Sequence, residues 1–301
     1  FFIVVHLSST GMGSFLVRRL QPLTSVPCSI ALHNETIERN HIYFAPSNRH
    51  LIVNKGQIIL GHGPAENRWR PSIDVLFRSA AAAYSTHVIG VVLTGFLHDG
   101  TSGMIAIKRS GGICVVQDPN EAEYPDMPMN VLDRVEVDYS VALARIGAVI
   151  TELLERKVTS MPAPPDVLAE AEIAERTATG IENVHELGEK SAYACPDCGG
   201  GLWKMDDHGR SRYRCHVGHA YTEEDLLTKQ GENLESTLWV ALRMMEERSH
   251  LLRKMANDNN RGNGLSRLAE SYVQRAEELD KHINTLKEVL IPSANMDSEI
   301  S

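Results

Sequence analysis

Cys195-Pro196-Asp197-Cys198, sixteen further residues, and then Cys215-His216-Val217-Gly218-His219 form the most chemically specific pattern in this 301-residue chain. A C-x2-C knuckle places two thiolates in one tight turn. A second pair at this distance supplies the other half of a tetrahedral zinc shell. Cys195, Cys198, Cys215 and His219 are the expected ligands. His216 competes for the fourth place, but its adjacency to Cys215 makes joint ligation awkward. Four protein ligands leave no open position, so the predicted zinc is structural, and a zinc-dependent enzyme is disfavoured. A ribbon of about thirty residues has little core of its own, so metal would supply much of its folding energy.

A second constellation is looser. His6 directly follows the apolar run Phe2–Val5, and Asp99 follows Val88–Leu93 across the loop Thr94-Gly95-Phe96-Leu97-His98. If both runs are parallel strands of one sheet, both side chains lie at its carboxyl edge, where ligands and catalytic groups gather. A histidine and an aspartate there suit a general base and its orienting carboxylate. The amides between Gly95 and Gly100 could donate to an oxyanion. His98 is a rival base. By residue type alone, a solvated histidine and a helix-capping aspartate explain the same pair.

The elements that must carry these groups are readable from the pattern. In residues 1–156, β-branched runs (Phe2–Val5, Val88–Leu93, Ile113–Gln117) alternate with helical stretches at 71–83, 99–110 and 141–154. That alternation predicts an α/β fold with a doubly wound parallel sheet. Asn54-Lys55-Gly56 between two apolar runs predicts an inserted β-hairpin. Residues 157–190 open with Met161-Pro162-Ala163-Pro164-Pro165 and read as a linker, which predicts that the zinc ribbon at 191–222 stands apart from the α/β domain. Thr222-Glu223-Glu224-Asp225 reads as a helix start. Apolar residues then recur at steps of three and four on both sides of an Asn/Gly-rich break, predicting an α-helical hairpin over 223–292 and a disordered tail over 293–301. That hairpin is a possible dimer surface.

Composition bounds the rest. Residues 1–156 carry 13 basic and 14 acidic side chains, and 157–301 carry 17 and 25. Net acidity argues against nucleic-acid partners. No apolar run approaches the roughly 20 residues of a membrane helix, so no membrane insertion is expected. Five cysteines, three of them in the ribbon, fit a reduced cytoplasmic protein.

The segments FFIVVHLSS (1–9), YFAPSNRHL (43–51), RPSIDVLFRSA (70–80), VVLTGFLHDGTSG (91–103) and GGICVVQDPNEAEYPDMP (111–128) occur in that order. They resemble the catalytic domain of chemotaxis protein-glutamate methylesterases. The C-terminal part resembles an extension found on members that lack a receiver domain. The resemblance implies a Ser-His-Asp triad without a catalytic cofactor. His6 takes the base role, Asp99 the carboxylate role, and the backbone amide of Phe96 faces the oxyanion. It implies hydrolysis of methyl esters on chemoreceptor glutamates or on a related signalling protein. The family's nucleophile sits in a G-x-S-x-G-G turn that does not occur in these 301 residues, so the chain is expected to begin inside the fold, past its first strand and nucleophile turn. The alternative is a non-catalytic signalling scaffold.

Overall fold

The computed structural model describes residues 2–5, 12–175, 188–207, 209–259 and 267–296. These divide into two compact units, 1–226 and 227–301. The first unit is mixed α/β with parallel strands. One parallel sheet contains β1 (Phe2–Ile3), β2 (Cys28–Ile30) and β4 (Ile42–Phe44) in the order β1-β4-β2. The other contains β7 (Ile89–Val92), β8 (Ile113–Gln117) and β9 (Tyr139–Val141), paired in chain order. The single sheet expected from sequence is thus two three-stranded ladders among the described residues. β1 pairs with β4, and β7 with β8.

The hairpin at Asn54-Lys55-Gly56 is present. It joins β5 (His50–Asn54) to β6 (Gln57–Gly61), with β3 (Glu35–Thr36) on the far edge of β6. Gly56 takes the left-handed conformation (φ 81°) that this turn requires. Helices α1 (Met12–Leu20), α2 (Ile73–Tyr84), α3 (Thr101–Arg109), α4 (Asp126–Leu132) and α5 (Leu143–Leu154) accompany the strands. The β8 strand is almost fully buried, as its apolar sequence requires of a strand covered on both faces. Val92, Met104, Ile107, Cys114, Val116 and Val131 form the main core beside it.

Two expectations are corrected here. The stretch 157–190 is not simply a linker. It contains α6 (Pro165–Glu175), which packs on α2 and buries Val167 and Ile173. Proline opens this helix, where its missing N–H costs nothing, and Arg109 holds Asp166 through a two-pronged contact of 2.5 and 2.9 Å.

Nor does the Cys/His region stand apart. Its strands β10 (Glu189–Ala194), β11 (Gly201–Asp207), β12 (Arg210–Cys215) and β13 (Ala220–Thr222) form an antiparallel sheet in chain order. That sheet lies within the first unit, tied to the α/β part by buried ion pairs. Local composition could not show these pairs, because Glu66 and Arg214 meet across 148 positions.

Helices α7 (Glu223–Asn259) and α8 (Arg267–Met296) supply the second unit, packed through Leu242, Ile283 and Leu290 with Leu238, Met245, Leu279 and Leu286 around them.

Candidate active site and metal centre

Asp99 leaves the end of β7 through the loop 93–100 and is 1 % exposed. Gly100 (φ 97°) turns the chain directly into α3. The Asp99 carboxylate does cap a helix, but the helix is α2 rather than its own. Its Oδ2 accepts from the Ile73 N–H at 2.6 Å. Its Oδ1 accepts from the Asp74 N–H (3.2 Å), the Ser72 hydroxyl (2.8 Å) and Asn67 Nδ2 (3.1 Å). Free amides and the positive end of a helix dipole suit a carboxylate at this position.

Asp74 lies alongside. Its Oδ1 accepts from the Gly103 N–H at 2.6 Å, and its Oδ2 from Asn67 Nδ2 at 2.7 Å. Burial, and then the charge of Asp99, push the Asp74 carboxyl up to about 7, against the pull of Arg78, the Gly103 amide and Arg212. Two carboxylates under one amide group cannot both ionise cheaply. Gly103 permits this approach of α3 to α2, since a Cβ there would meet the Phe77 Cβ at 2.5 Å.

Around them sits a buried polar frame. His50 accepts from the Ser72 N–H at Nδ1 (3.3 Å) and donates from Nε2 to the Pro64 carbonyl (2.8 Å). Burial pushes its pKa down, so the ring is a neutral spacer that fixes Ser72. Glu66 is ion-paired with Arg78 and Arg214, and Glu170 with Arg212 and Arg78. Burial opposes the charge of Glu66, yet Arg214, Arg78 and Arg212 hold its pKa down at about 2.

His6 lies outside the described residues. Phe96 is exposed and packs at a tilt against Tyr124, ring centroids 4.0 Å apart and planes at 39°. The residue before it is held at both its N–H and its carbonyl. Gly95 donates to the Tyr124 carbonyl (2.9 Å), and Met127 donates back to the Gly95 carbonyl (3.0 Å). His98, the rival base, is buried and bound at Nε2 to Asp225 Oδ2 (2.7 Å) and the Thr222 hydroxyl (3.0 Å). Burial opposes the charge of this ring, but the hydrogen bond and charge of Asp225, with Glu224 behind, hold its pKa up. A cleft of about 30 Å³ lies beside it, lined by Asp74, Ser102, Arg134 and Arg212 among others.

Sequence reasoning missed Asn67, Ser72, Asp74 and His50. The one local signal was Ser72-Ile73-Asp74, an acid two residues past a cap-forming serine before an apolar run.

The Cys/His centre is compact. Ligand atoms of Cys195, Cys198, Cys215 and His219 all lie within 4.8 Å of one another, so this group could hold a metal ion. The Cys198 and Cys215 sulfurs are 3.7 Å apart, and Cys215 Sγ is 3.5 Å from His219 Nδ1. Tetrahedral ligands at zinc–sulfur and zinc–nitrogen bond lengths stand about 3.8 and about 3.5 Å apart. His219, not His216, completes the group. The turn is closed by the Cys215 N–H on the His219 carbonyl (3.0 Å) and the Gly218 N–H on the Cys215 carbonyl (3.0 Å).

Residues 1–150 match the CheB methylesterase family. A Leptospira interrogans protein described as a protein-glutamate methylesterase/protein-glutamine glutaminase is 38% identical over 152 residues, which is 50% of this chain and 78% of that one. A Geobacter metallireducens protein-glutamate methylesterase/protein-glutamine glutaminase 1 is 36% identical over 140 residues, 45% of this chain and 38% of its own. The Thermotoga maritima CheB methylesterase catalytic domain, a solved structure, is 28% identical with a TM-score of 0.48, covering 50% of this chain and 82% of that one. The identity, its coverage of the Leptospira relative and the family match lead to one assignment: the chain belongs to the CheB methylesterase family.

Proposed function

We propose that this chain provides the base, the orienting carboxylate and an oxyanion donor of a protein-glutamate methylesterase, a carboxylic-ester hydrolase acting on methylated chemoreceptor glutamates or on a related cytoplasmic signalling protein. The observation that carries the reading is Asp99. It is a buried carboxylate in the loop that follows a parallel strand, held by four donors, in a segment that matches the family.

The chemistry follows from the parts. His6 takes the proton of a nucleophilic serine, and Asp99 holds the histidine tautomer and stabilises its cation. The serine oxygen bonds to the ester carbonyl carbon, and the carbonyl oxygen takes the negative charge toward the Phe96 amide. Collapse breaks the bond to the methoxy oxygen, which leaves as methanol with the proton from His6. Water then attacks the acyl-serine, giving up a proton to His6; the bond to the serine oxygen breaks, that oxygen takes the proton back from His6, and the protein substrate leaves with a glutamate side-chain carboxylate. The relatives' names also carry glutaminase. The same steps on an amide would release ammonia. The paired rings of Phe96 and Tyr124, exposed beside the loop, offer apolar surface to a protein substrate.

The nucleophile's G-x-S-x-G-G turn has no counterpart in the 301 residues. The chain alone is therefore expected to release no methanol from a methylated receptor above a His6→Ala control. Supplying a family nucleophile turn and its strand upstream should restore turnover. Turnover by the bare chain that depends on His6, or none in the supplemented one, would contradict the assignment.

Zinc is the metal proposed for the Cys/His centre, because three thiolates and an imidazole select it over magnesium or calcium. Cys195, Cys198, Cys215 and His219 would hold it as a structural ion in a zinc ribbon. Metal analysis of the purified protein beside a Cys198→Ser variant checks this, and equal zinc content in both would refute it.

A further inference from the structure

We infer that the metal ribbon sets the geometry of the Asp99 carboxylate, with Asn67 as the positioning residue between them. The importance of this for turnover rests on the hydrolase reading, but the coupling itself does not.

Asn67 is where the two parts meet. Its side-chain amide bridges Asp74 and Asp99 at 2.7 and 3.1 Å. Its backbone N–H donates to the Ala220 carbonyl of β13 at 3.2 Å, and Glu66 forms a β-bridge with the same Ala220. Ala220 is the residue after His219. Asn67 and Arg68 are successive non-glycine residues in the left-handed region (φ 49° and 69°), a conformation that persists only where surroundings impose it. The turn is closed on itself by Glu66 and Trp69, whose backbones exchange hydrogen bonds of 2.9 and 3.2 Å. Glu66 is held further by Arg78 of α2 and by Arg214 of β12.

A second tie comes from the other metal-flanking segment. Arg214, the residue before Cys215, pairs with Glu66 and is 1 % exposed. Arg212, two residues earlier, reaches Glu170 of α6 and the Ser102 hydroxyl of α3. Ser102 precedes Gly103, whose amide holds Asp74. So β12 and β13 grip both sides of the carboxylate pair, at 66–67 and at 102. Each strand is anchored by a ligand: Cys215 ends β12, and His219 precedes β13.

The ribbon is the two-state element that coupling requires. Its small core contains two of the ligands, Cys195 and Cys215, with Leu202, Tyr213, Tyr221 and Leu226. Without metal, such a cluster has little reason to stay folded. Its release would strip Glu66 and Glu170 of buried arginine partners, a costly state that relaxation of the 66–69 turn would relieve. Asn67 would then leave the carboxylates. Zinc loss, by chelation or thiol oxidation, would thus be felt at Asp99.

The test is amide hydrogen exchange on the full chain, with zinc, after chelation, and after zinc is restored. The Ile73, Asp74 and Gly103 amides, which donate to the two carboxylates, should lose protection at least tenfold on chelation and regain it with zinc. Ile58 in the hairpin and Val116 in β8 should not change. Unchanged exchange at 73–74 and 103 in metal-free protein overturns the inference. So does equal loss at Ile58 and Val116, which would mean general unfolding, and so does full protection in protein that never carried metal. The Asp99 carboxyl carbon resonance tests Asn67 itself. It should move on chelation in the parent chain, be displaced already in Asn67→Ala, and show no further response there. A zinc response of parental size in Asn67→Ala overturns the positioning role. Neither readout involves turnover, so failure of the hydrolase reading leaves both intact.

Discussion

At the scale of single residues, the carboxyl edge is governed by two aspartates with different jobs. Asp99 takes four donors at the head of α2, and beside it burial and the charge of Asp99 push Asp74 toward its protonated form. Asp74 has an ordinary value of 3.8 and titrates near 7 in the folded chain. Between these values the folded state binds more protons than the unfolded one. Its contribution to stability is therefore complete below about pH 4 and is lost as pH rises toward about 7. Glu66 works in the opposite sense. With its value lowered from 4.5 to about 2, it stabilises above about pH 4.5, and that contribution disappears as pH falls through about 2. Asp74→Asn should abolish the loss of stability between about pH 4 and 7 and leave the acid limb intact. Urea midpoints across that range check this, and an unchanged slope in the variant would refute it. Asp99 was legible in the sequence because it follows a strand-like run. Asn67 and His50 were not, since their partners lie 7 to 32 positions away and nothing local marks them.

At the scale of elements, α2 organises the site. Its N-terminal amides meet Asp99, its second turn carries Arg78 into the ion network, and its face accepts α3 at Gly103. Glu66 is the hub of that network, so Glu66→Gln leaves Arg78 and Arg214 buried without their shared charge. A destabilisation of about 3–5 kcal/mol is expected in chemical denaturation. A loss within experimental error would show that the arginines find other partners. The strand Ile113–Gln117 and the hairpin turn were readable from β-branched runs and Asn-Lys-Gly. Helix α6 was not, because its apolar residues form no single stripe and its burial comes from packing on α2 and β6. The same holds for the ribbon's attachment. A Pro-rich segment says only that the chain bends there, whereas ion pairs across more than a hundred residues decide that it folds back.

At the scale of the whole molecule, the family match occupies the first 150 residues, and the Cys/His sheet completes the same compact unit. Among the described residues no helix is long and apolar enough to cross a membrane. The chain's proposed work is ester hydrolysis on a protein substrate, with Asp99 as the carboxylate that orients the base. The most direct measurement is methanol release from a methylated chemoreceptor by the chain joined to a family nucleophile turn, comparing the parent with Asp99→Asn. Asparagine keeps the shape and one acceptor oxygen, enough for the three donors that Oδ1 now takes but not for the Ile73 amide as well, and it cannot hold the required histidine tautomer. The account predicts a fall in kcat of about 10⁴-fold with the fold retained. A variant that turns over at the parental rate would contradict it.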